Sequence, residues 1–215
     1  PDSVQGLKAA GLRIMSYDGG AQVYGFLFWD MEHPEKYAFG DVRVRKALQL
    51  GIDSKEIAGK MLGGYGGPYY LFGIDEFGYY ADPKVLKPDP YDPEGAKKLL
   101  TEAGYANGFN TKIYDVGKGG LSSQMALAVS GYWRKIGVNA ELVPMELVRV
   151  QQMYRPKHTP DIWNSLYIER GGTARDFEKV NTYHSTTGFL QNTNNPRLDE
   201  LIVKVPGMPM SDEKK

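Results

Sequence analysis

The chain has 215 residues, of which 41% are hydrophobic and 24% charged, so it can build about one globular domain with an ordinary core, and a disordered chain is not expected. Its 26 basic and 26 acidic residues give a net charge of zero, which argues against a nucleic-acid binder that works by neutralising phosphates. It contains no cysteine, which excludes disulfides, cysteine-ligated zinc and thiol nucleophiles.

Hydrophobic periodicity and turn residues predict strands that alternate with helices. In chain order, we expect strands over residues 12–17 and 24–29, helices over 41–50, 54–62 and 92–103, a strand over 111–116, a helix over 121–136, a strand over 138–143, a helix over 145–154, a strand over 161–167, and helices over 175–183 and 196–203. The strand–helix–strand–helix order over residues 92–167 predicts βαβ units and a partly parallel sheet.

One long stretch, residues 63–90, is rich in Gly, Pro and Tyr and has no period. A segment of this length inside a domain is typical of a functional or wrapping loop. Its tyrosines are expected either to contact a ligand or to pack on the body of the domain, and the sequence leaves both open. The longest apolar stretch, residues 24–29, is far too short to span a bilayer.

Motifs of enzymes and metal sites are scarce in this sequence. The three histidines, His33, His158 and His184, are not spaced in a metal-binding pattern, and neither a nucleophile elbow nor a nucleotide phosphate loop is present. Residues 117–120 (Gly-Lys-Gly-Gly) lie between a predicted strand and a predicted helix, where backbone N–H groups and a lysine could meet an anion. A plain glycine-rich connector is the alternative.

Four segments together resemble a known family. These are residues 39–53 (FGDVRVRKALQLGID), 91–105 (YDPEGAKKLLTEAGY), 133–138 (WRKIGV) and 194–202 (NNPRLDELI). They are similar, in order and spacing, to segments of the solute-binding proteins of peptide-type ABC importers, family 5, the dipeptide, oligopeptide and nickel class. The resemblance covers most of residues 24–203.

The resemblance implies a protein of two lobes that enclose a ligand. We therefore expect an α/β fold with a mixed, partly parallel sheet flanked by helices, as one lobe of a two-lobed periplasmic-binding-protein-like fold. Residues 1–30 are expected to hold the strands that cross between the lobes and the edge of this lobe. Residues 31–205 are expected to form the ligand-binding lobe, and residues 206–215 a truncated linker to the missing lobe.

The resemblance also implies which residues line the ligand cleft. In peptide-binding members an acid shortly after the strand predicted here over residues 161–167 pairs with the α-amino group of the peptide, and Glu169 occupies that place. The usual G-W-x-G-D context is absent, and Arg170 could neutralise Glu169, so two solvated charges at a strand end are the alternative. The expected ligand-binding residues are Lys118, Glu146, Leu147, Tyr167, Glu169 and Arg170.

The resemblance implies the binding component of an ABC import system for a peptide-like solute, and the scarcity of enzyme motifs favours a protein without catalysis, cofactor or metal. The expected partners are a small-molecule or peptide ligand, the missing first lobe and the ABC permease subunits, with no nucleic acid. The expected location is periplasmic or extracellular, with a lipoprotein anchor left open for the full-length protein. Two alternatives stay open: a lobe for a sugar or a metal chelate in the same family, and an α/β hydrolase-type enzyme that uses Glu169.

Overall fold

The computed structural model describes residues 2–15, 22–63, 89–116, 119–154, 162–171, 185–188 and 194–204. The helices in these ranges are α1 (Asp2–Ala9), α2 (Val42–Leu50), α3 (Ser54–Leu62), α4 (Pro93–Glu102), α5 (Leu121–Lys135), α6 (Leu147–Tyr154) and α7 (Pro196–Lys204). The strands are β1 (Gln22–Phe28), β2 (Phe109–Asp115), β3 (Val138–Pro144) and β4 (Ser165–Gly171). Two short 3-10 turns, Pro34–Lys36 and Ala38–Gly40, precede α2.

The four strands form one sheet in the order β1-β4-β2-β3. Strand β2 runs parallel to both β3 and β4, whereas β1 pairs with β4 in the antiparallel direction. The crossover from β2 through α5 to β3 is the predicted βαβ unit. The expectation of a mixed, partly parallel sheet flanked by helices is therefore confirmed.

Hydrophobic side chains cover both faces of the sheet. Successive residues of a strand point to opposite faces, so Ile113 and Leu166 join one cluster while their neighbours Tyr114 and Tyr167 join the other. In the first cluster α5 packs directly on the sheet, and the buried faces of α2 and α4 pack against each other and join the same cluster. The second cluster lies beneath α6 and consists of Phe26, Phe28, Tyr114, Val150, Met153, Ile162 and Tyr167.

Three helices, α2, α3 and α4, begin where aspartate side chains cap them. Asp41 accepts a hydrogen bond of 2.8 Å from the backbone N–H of Arg43, and Asp92 accepts one of 2.8 Å from Gly95. These caps satisfy N–H groups that a helix leaves unpaired in its first turn, and they confirm the predicted starts of α2 and α4. The cap of α3 is Asp53, one residue before the predicted start.

The carboxyl end of α2 is held by two other helices. The indole N–H of Trp133 in α5 donates to the carbonyl of Leu48 at 3.0 Å, and the backbone N–H of Asp92 donates to the carbonyl of Leu50 at 2.9 Å. Carbonyls in the last turn of a helix have no partner within the helix. These two bonds therefore supply the partners and fix α2 against α4 and α5.

Two predicted strands differ from the structure. Residues 12–15 form no strand, and the unpredicted helix α1 precedes them. Leu12 and Met15 are 55% and 82% exposed, and β-forming residues without a partner strand do not make a strand. Strand β4 begins at Ser165 rather than at residue 161, because Asn164 has a φ of 57°, which a strand cannot accommodate.

The buried face of α5 contains small residues beside its large apolar ones. Val129, Tyr132 and Trp133 are buried, and so are Ser122, Ala126 and Ser130, whereas Leu121 and Met125 are half-buried. Small side chains let a helix lie close to a sheet, and a hydrophobicity pattern does not mark serine as a buried residue. The predicted helix over residues 175–183 lies outside the described residues.

The remaining predictions about domain organisation stay predictions. Most of residues 63–90 and all of residues 206–215 lie outside the described ranges. None of the helices in the described part of the chain combines the length and apolar character that a membrane crossing needs.

Candidate ligand-binding site

Strands β2 and β3 end together at one edge of the sheet, and the neighbouring strand β4 continues three residues past them. Asp115 at the end of β2 lies level with Pro144 of β3 and with Ile168 of β4. We call this the carboxyl edge, because the three strands are parallel and all reach it with their carboxyl ends. In open α/β sheets, ligands bind in the crevice outside this edge.

The connection from β3 to α6 places Glu146 and Leu147 at the carboxyl edge. The backbone N–H of Met145 donates to the carbonyl of Asp115 at 2.9 Å, which ties this connection to the end of β2. The carbonyl of Glu146 accepts from the N–H of Arg149 at 2.9 Å, so Glu146 directly precedes the first turn of α6. Both Glu146 and Leu147 are exposed, and a solute could reach them.

The backbones of Glu169 and Arg170 lie within β4 and not beyond it. Glu169 pairs with Tyr24 of β1, and Arg170 pairs with Val23. The antiparallel partner therefore prolongs β4 past its predicted end at residue 167. Since Ile168 is level with Asp115, residues 169 and 170 extend past the end of β2 at the carboxyl edge.

Tyr167 lies inside the second cluster and not on the surface. Its side chain is fully buried, and its ring stacks on that of Phe26 with centroids 6.5 Å apart. In this structure Tyr167 supports the sheet just below the carboxyl edge. Its expected contact with a ligand stays a prediction.

Lys118 lies outside the described residues, but the chain on either side of it is placed. Val116 packs against the second cluster, and Gly119 has a φ of 83°, in the left-handed region that favours glycine. The N–H of Gly119 donates to the hydroxyl of Ser123 at 2.9 Å. The described chain therefore leaves β2 at the carboxyl edge and resumes at Gly119, just before the first turn of α5.

The structure adds Asp115 to the candidate site. Sequence reasoning passed over this residue, although its position at the end of a strand and just before a glycine-rich connection was a signal. Asp115 is half-buried. Among the described residues, no group of three or more His, Cys, Asp or Glu could hold a metal ion. The edge presents the carboxylates of Asp115 and Glu146 and the N-terminus of α5.

The two arginines of the first motif stabilise the scaffold. The guanidinium of Arg45 donates to the carbonyls of Phe39 and Gly40 at 2.7 and 2.9 Å and stacks 4.3 Å from the ring centre of Trp29. Burial lowers the pKa of Arg45. Arg43 donates to the carbonyl of Glu102, the last residue of α4, at 2.7 Å. These arginines join helices and turns and account for the arginines of the first motif.

Comparison with known proteins supports the family resemblance that the four motifs indicate. The family model described as "Bacterial extracellular solute-binding proteins, family 5 Middle" matches residues 1–189. The chain is 36% identical over 116 residues to "Heme-binding protein A" of Haemophilus influenzae, a match over 52% of this chain and 21% of that protein. It is 37% identical over 122 residues to the "Periplasmic oligopeptide-binding protein OppA" of Escherichia coli, a match over 52% of this chain and 22% of that protein.

Solved structures show the same fold over the whole chain. The NikA structure from Brucella suis in complex with Fe(III)-EDTA has a TM-score of 0.71 at 19% identity, and the match covers 100% of this chain and 44% of that one. The oligopeptide-binding protein AppA from Bacillus subtilis in complex with a nonapeptide has a TM-score of 0.62 at 18% identity, over 99% and 47% of the two chains. The chain thus spans less than half the length of these structures.

Proposed function

Because the chain belongs to the bacterial extracellular solute-binding proteins of family 5, we propose that it forms one wall of the ligand cleft in the solute-binding component of an ABC importer. The proposed solute is peptide-like. The observation that carries this proposal is that β2 and β3 end level at the carboxyl edge, beside the end of the parallel strand β4. That edge is where an open α/β sheet presents its backbone ends and loops to a ligand.

The second wall of the cleft is proposed to come from another lobe of the same protein. The chain covers 44% and 47% of the NikA and AppA structures that it matches. A ligand enclosed between two lobes loses most of its hydrated surface, and one wall alone buries roughly half of that area. The lobe described here would therefore bind the solute weakly by itself.

The proposed wall consists of the residues that the resemblance implied: Lys118, Glu146, Leu147, Tyr167, Glu169 and Arg170. The exposure of Glu146 and Leu147 and the backbone positions of Glu169 and Arg170 support this assignment. Glu169 is proposed to meet a cationic group of the solute, such as an α-amino group.

We propose that the protein binds its solute without changing it chemically. The relatives named above are binding proteins by their names, and one of them is named as periplasmic. A periplasmic or extracellular location and docking on ABC permease subunits follow from that proposal. The net charge of zero supports a partner other than nucleic acid.

Calorimetry with trialanine tests the one-wall proposal. The 215-residue chain should bind the tripeptide with a dissociation constant on the order of mM, and a protein that carries both lobes should bind it with one on the order of μM or lower. Micromolar binding by the chain alone would overturn the proposal that it forms only one wall.

A matched pair of variants tests the site. Glu146→Gln removes a carboxylate at the carboxyl edge, and Glu141→Gln removes an exposed carboxylate within β3. In the two-lobed protein, we expect only the change at Glu146 to weaken binding of trialanine. Equal affinities for the two variants would remove Glu146 from the site.

A further inference from the structure

Asn164, the residue that precedes β4, has an unusual backbone conformation. Its φ is 57°, and among the described residues it is the one residue other than glycine with a positive φ. Asparagine tolerates this left-handed region better than most residues do, whereas glycine occupies it without a steric cost. The presence of a side chain at this position therefore asks for an explanation, and its hydrogen bonds supply one.

Asn164 ties the start of β4 to three other parts of the chain. Its side-chain carbonyl accepts the N–H of Phe39 at 3.0 Å, and its side-chain amide donates to the carbonyl of Asn110 at 3.4 Å. Its backbone N–H donates to the carbonyl of Phe28 at 2.9 Å, and its backbone carbonyl accepts the hydroxyl of Thr111 at 2.6 Å. These bonds reach β1, β2 and the second 3-10 turn before α2.

Phe39 is a firmly held point of attachment for Asn164. Its ring is fully buried and packs edge-on against those of Phe109 and Trp133, with centroids 6.0 and 6.2 Å away. Its carbonyl accepts a hydrogen bond of 2.7 Å from the guanidinium of Arg45. Because its ring, N–H and carbonyl are all engaged, Phe39 cannot follow a displacement of β4. The bond to Asn164 therefore fastens β4 to a fixed part of the scaffold.

The other end of β4 has fewer partners in the sheet. Strand β2 pairs with residues 165–168 of β4, and the described partner of residues 169 and 170 is β1. Residue 169 lies five positions after Asn164, a distance of about 16 Å along an extended strand. A strand that moves along its own axis carries its last residues with it. The attachment at the start of β4 can therefore set where these residues lie at the carboxyl edge.

We propose that Asn164 is a positioning residue of the candidate site: by tying the start of β4 to Phe39, it sets how far the backbone of Glu169 and Arg170 extends past the end of β2. This inference rests on the proposed function and adds a residue outside the proposed wall. Asn164 lies at the end of β4 away from the carboxyl edge. It therefore acts through the strand and does not touch the solute.

Three variants of the ¹⁵N-labelled 215-residue chain test the proposal. Asn164→Gly keeps the left-handed backbone accessible and removes both side-chain hydrogen bonds, whereas Asn164→Asp keeps the acceptor for Phe39. Asn139→Ala is the matched control. Asn139 makes a side-chain hydrogen bond of 3.3 Å to Asn110 at the same end of the sheet, but it belongs to β3.

Titration with trialanine, followed by nuclear magnetic resonance at residues 145–147, measures the dissociation constant. Asn164→Gly should raise it about tenfold, because the loss of one or two hydrogen bonds lowers the population of the correctly placed strand by about that factor. Asn164→Asp and Asn139→Ala should keep the wild-type value.

The position of β4 is measured separately from binding. Tyr24 and Glu169 are paired in the sheet, so nuclear Overhauser effects between their backbone protons report where β4 lies. These effects should weaken in Asn164→Gly and persist in Asn164→Asp. Leu100→Ala, a core change, should lower stability and leave both these effects and the dissociation constant unchanged. A merely structural role of Asn164 would give the same result as Leu100→Ala.

The proposal is overturned if Asn164→Gly keeps the wild-type dissociation constant and Overhauser effects, or if Asn139→Ala weakens binding equally. Hydrogen exchange of the wild type decides even if Asn164→Gly does not fold. The amide of Phe39 should be protected as strongly as the amides in the middle of β4, and rapid exchange would contradict the attachment. If trialanine shifts no residue of the carboxyl edge in the wild type, the proposed function falls, and the Overhauser effects still decide whether Asn164 positions β4.

Discussion

Among single residues, Glu169 carries the sharpest prediction about the solute. Its backbone lies near the end of β4. In the two-lobed protein, Glu169→Gln keeps the shape of the side chain and removes its charge. If Glu169 meets a cationic group in a closed cleft, the variant should lose about 2 to 5 kcal/mol of binding free energy, because the buried cation keeps no partner.

Calorimetry on the wild type and on Glu169→Gln, at low and high salt, measures this loss. A change below about 1 kcal/mol would mean that Arg170 already neutralises the acid or that the solute is uncharged. That result would exclude Glu169 as an amine anchor and favour a neutral solute.

A second residue, Tyr132, predicts how stability depends on pH. Burial and a hydrogen bond to Glu56 raise the pKa of Tyr132. The fold therefore favours the neutral phenol, and this contribution is complete below the pKa of an ordinary tyrosine, about 10. It is lost as the pH rises above that value. Unfolding by urea at pH 8 and pH 11 should show a smaller alkaline loss of stability in Tyr132→Phe than in the wild type.

Glu56 adds the opposite dependence on the acid side. Hydrogen bonds from Lys60 and Tyr132 lower the pKa of Glu56. The contribution of Glu56 to stability is therefore present above the pKa of an ordinary carboxyl group and is lost as the pH falls.

For the alkaline test, an equal loss of stability in Tyr132→Phe and in the wild type would show that this contact does not favour the neutral phenol of Tyr132.

Among the helices and strands, α4 is predicted to be held in place by its buried face, which carries Leu100. Leu100 is 1% exposed within the first cluster, while the adjacent Leu99 is only half-buried. Leu100→Ala should lower the free energy of unfolding by roughly 2 to 5 kcal/mol, because it leaves a cavity. Leu99→Ala is the matched control and should cost clearly less. A loss well under 1 kcal/mol for Leu100→Ala would contradict the packing of α4 against α2 in the first cluster.

Helices and strands could be predicted from the sequence where the residues that determine them are neighbours in the chain. Asp41 and Asp92 mark the starts of α2 and α4 because a helix cap needs only the side chain and the next three residues. The predicted strand over residues 12–17 is not formed over residues 12–15 because a strand needs a partner that the sequence does not name. The start of β4 depends on Asn164, whose side chain accepts the N–H of Phe39 at 3.0 Å, a contact between distant parts of the chain.

The candidate site was predictable in part. The strand–helix order predicted parallel strands, and parallel strands bring their carboxyl ends to one edge. The positions of Glu146 and Leu147 came from the resemblance, and the structure brings them to the carboxyl edge. Asp115 was not predicted as a site residue, because a strand-ending aspartate alone does not show which edge of the sheet it reaches.

At the scale of the whole molecule, the sheet joins parts of the chain that are far apart in sequence. The β2–α5–β3 unit is continuous, but β1 pairs with a strand that follows it by more than a hundred residues. Closing so long a loop has an entropic cost, which is offset only once β1 has paired with β4. The difference in sequence separation between these two sets of contacts should set the order in which they form.

We therefore expect the β2–α5–β3 unit to gain protection from hydrogen exchange first during refolding, and β1 to gain it last. The second cluster is completed only in that last step, because Phe26 and Phe28 are carried by β1. Until then the aromatic face of the sheet is open to other chains. The interval before β1 docks is thus when the protein is most exposed to aggregation, and a holding chaperone would act in that interval.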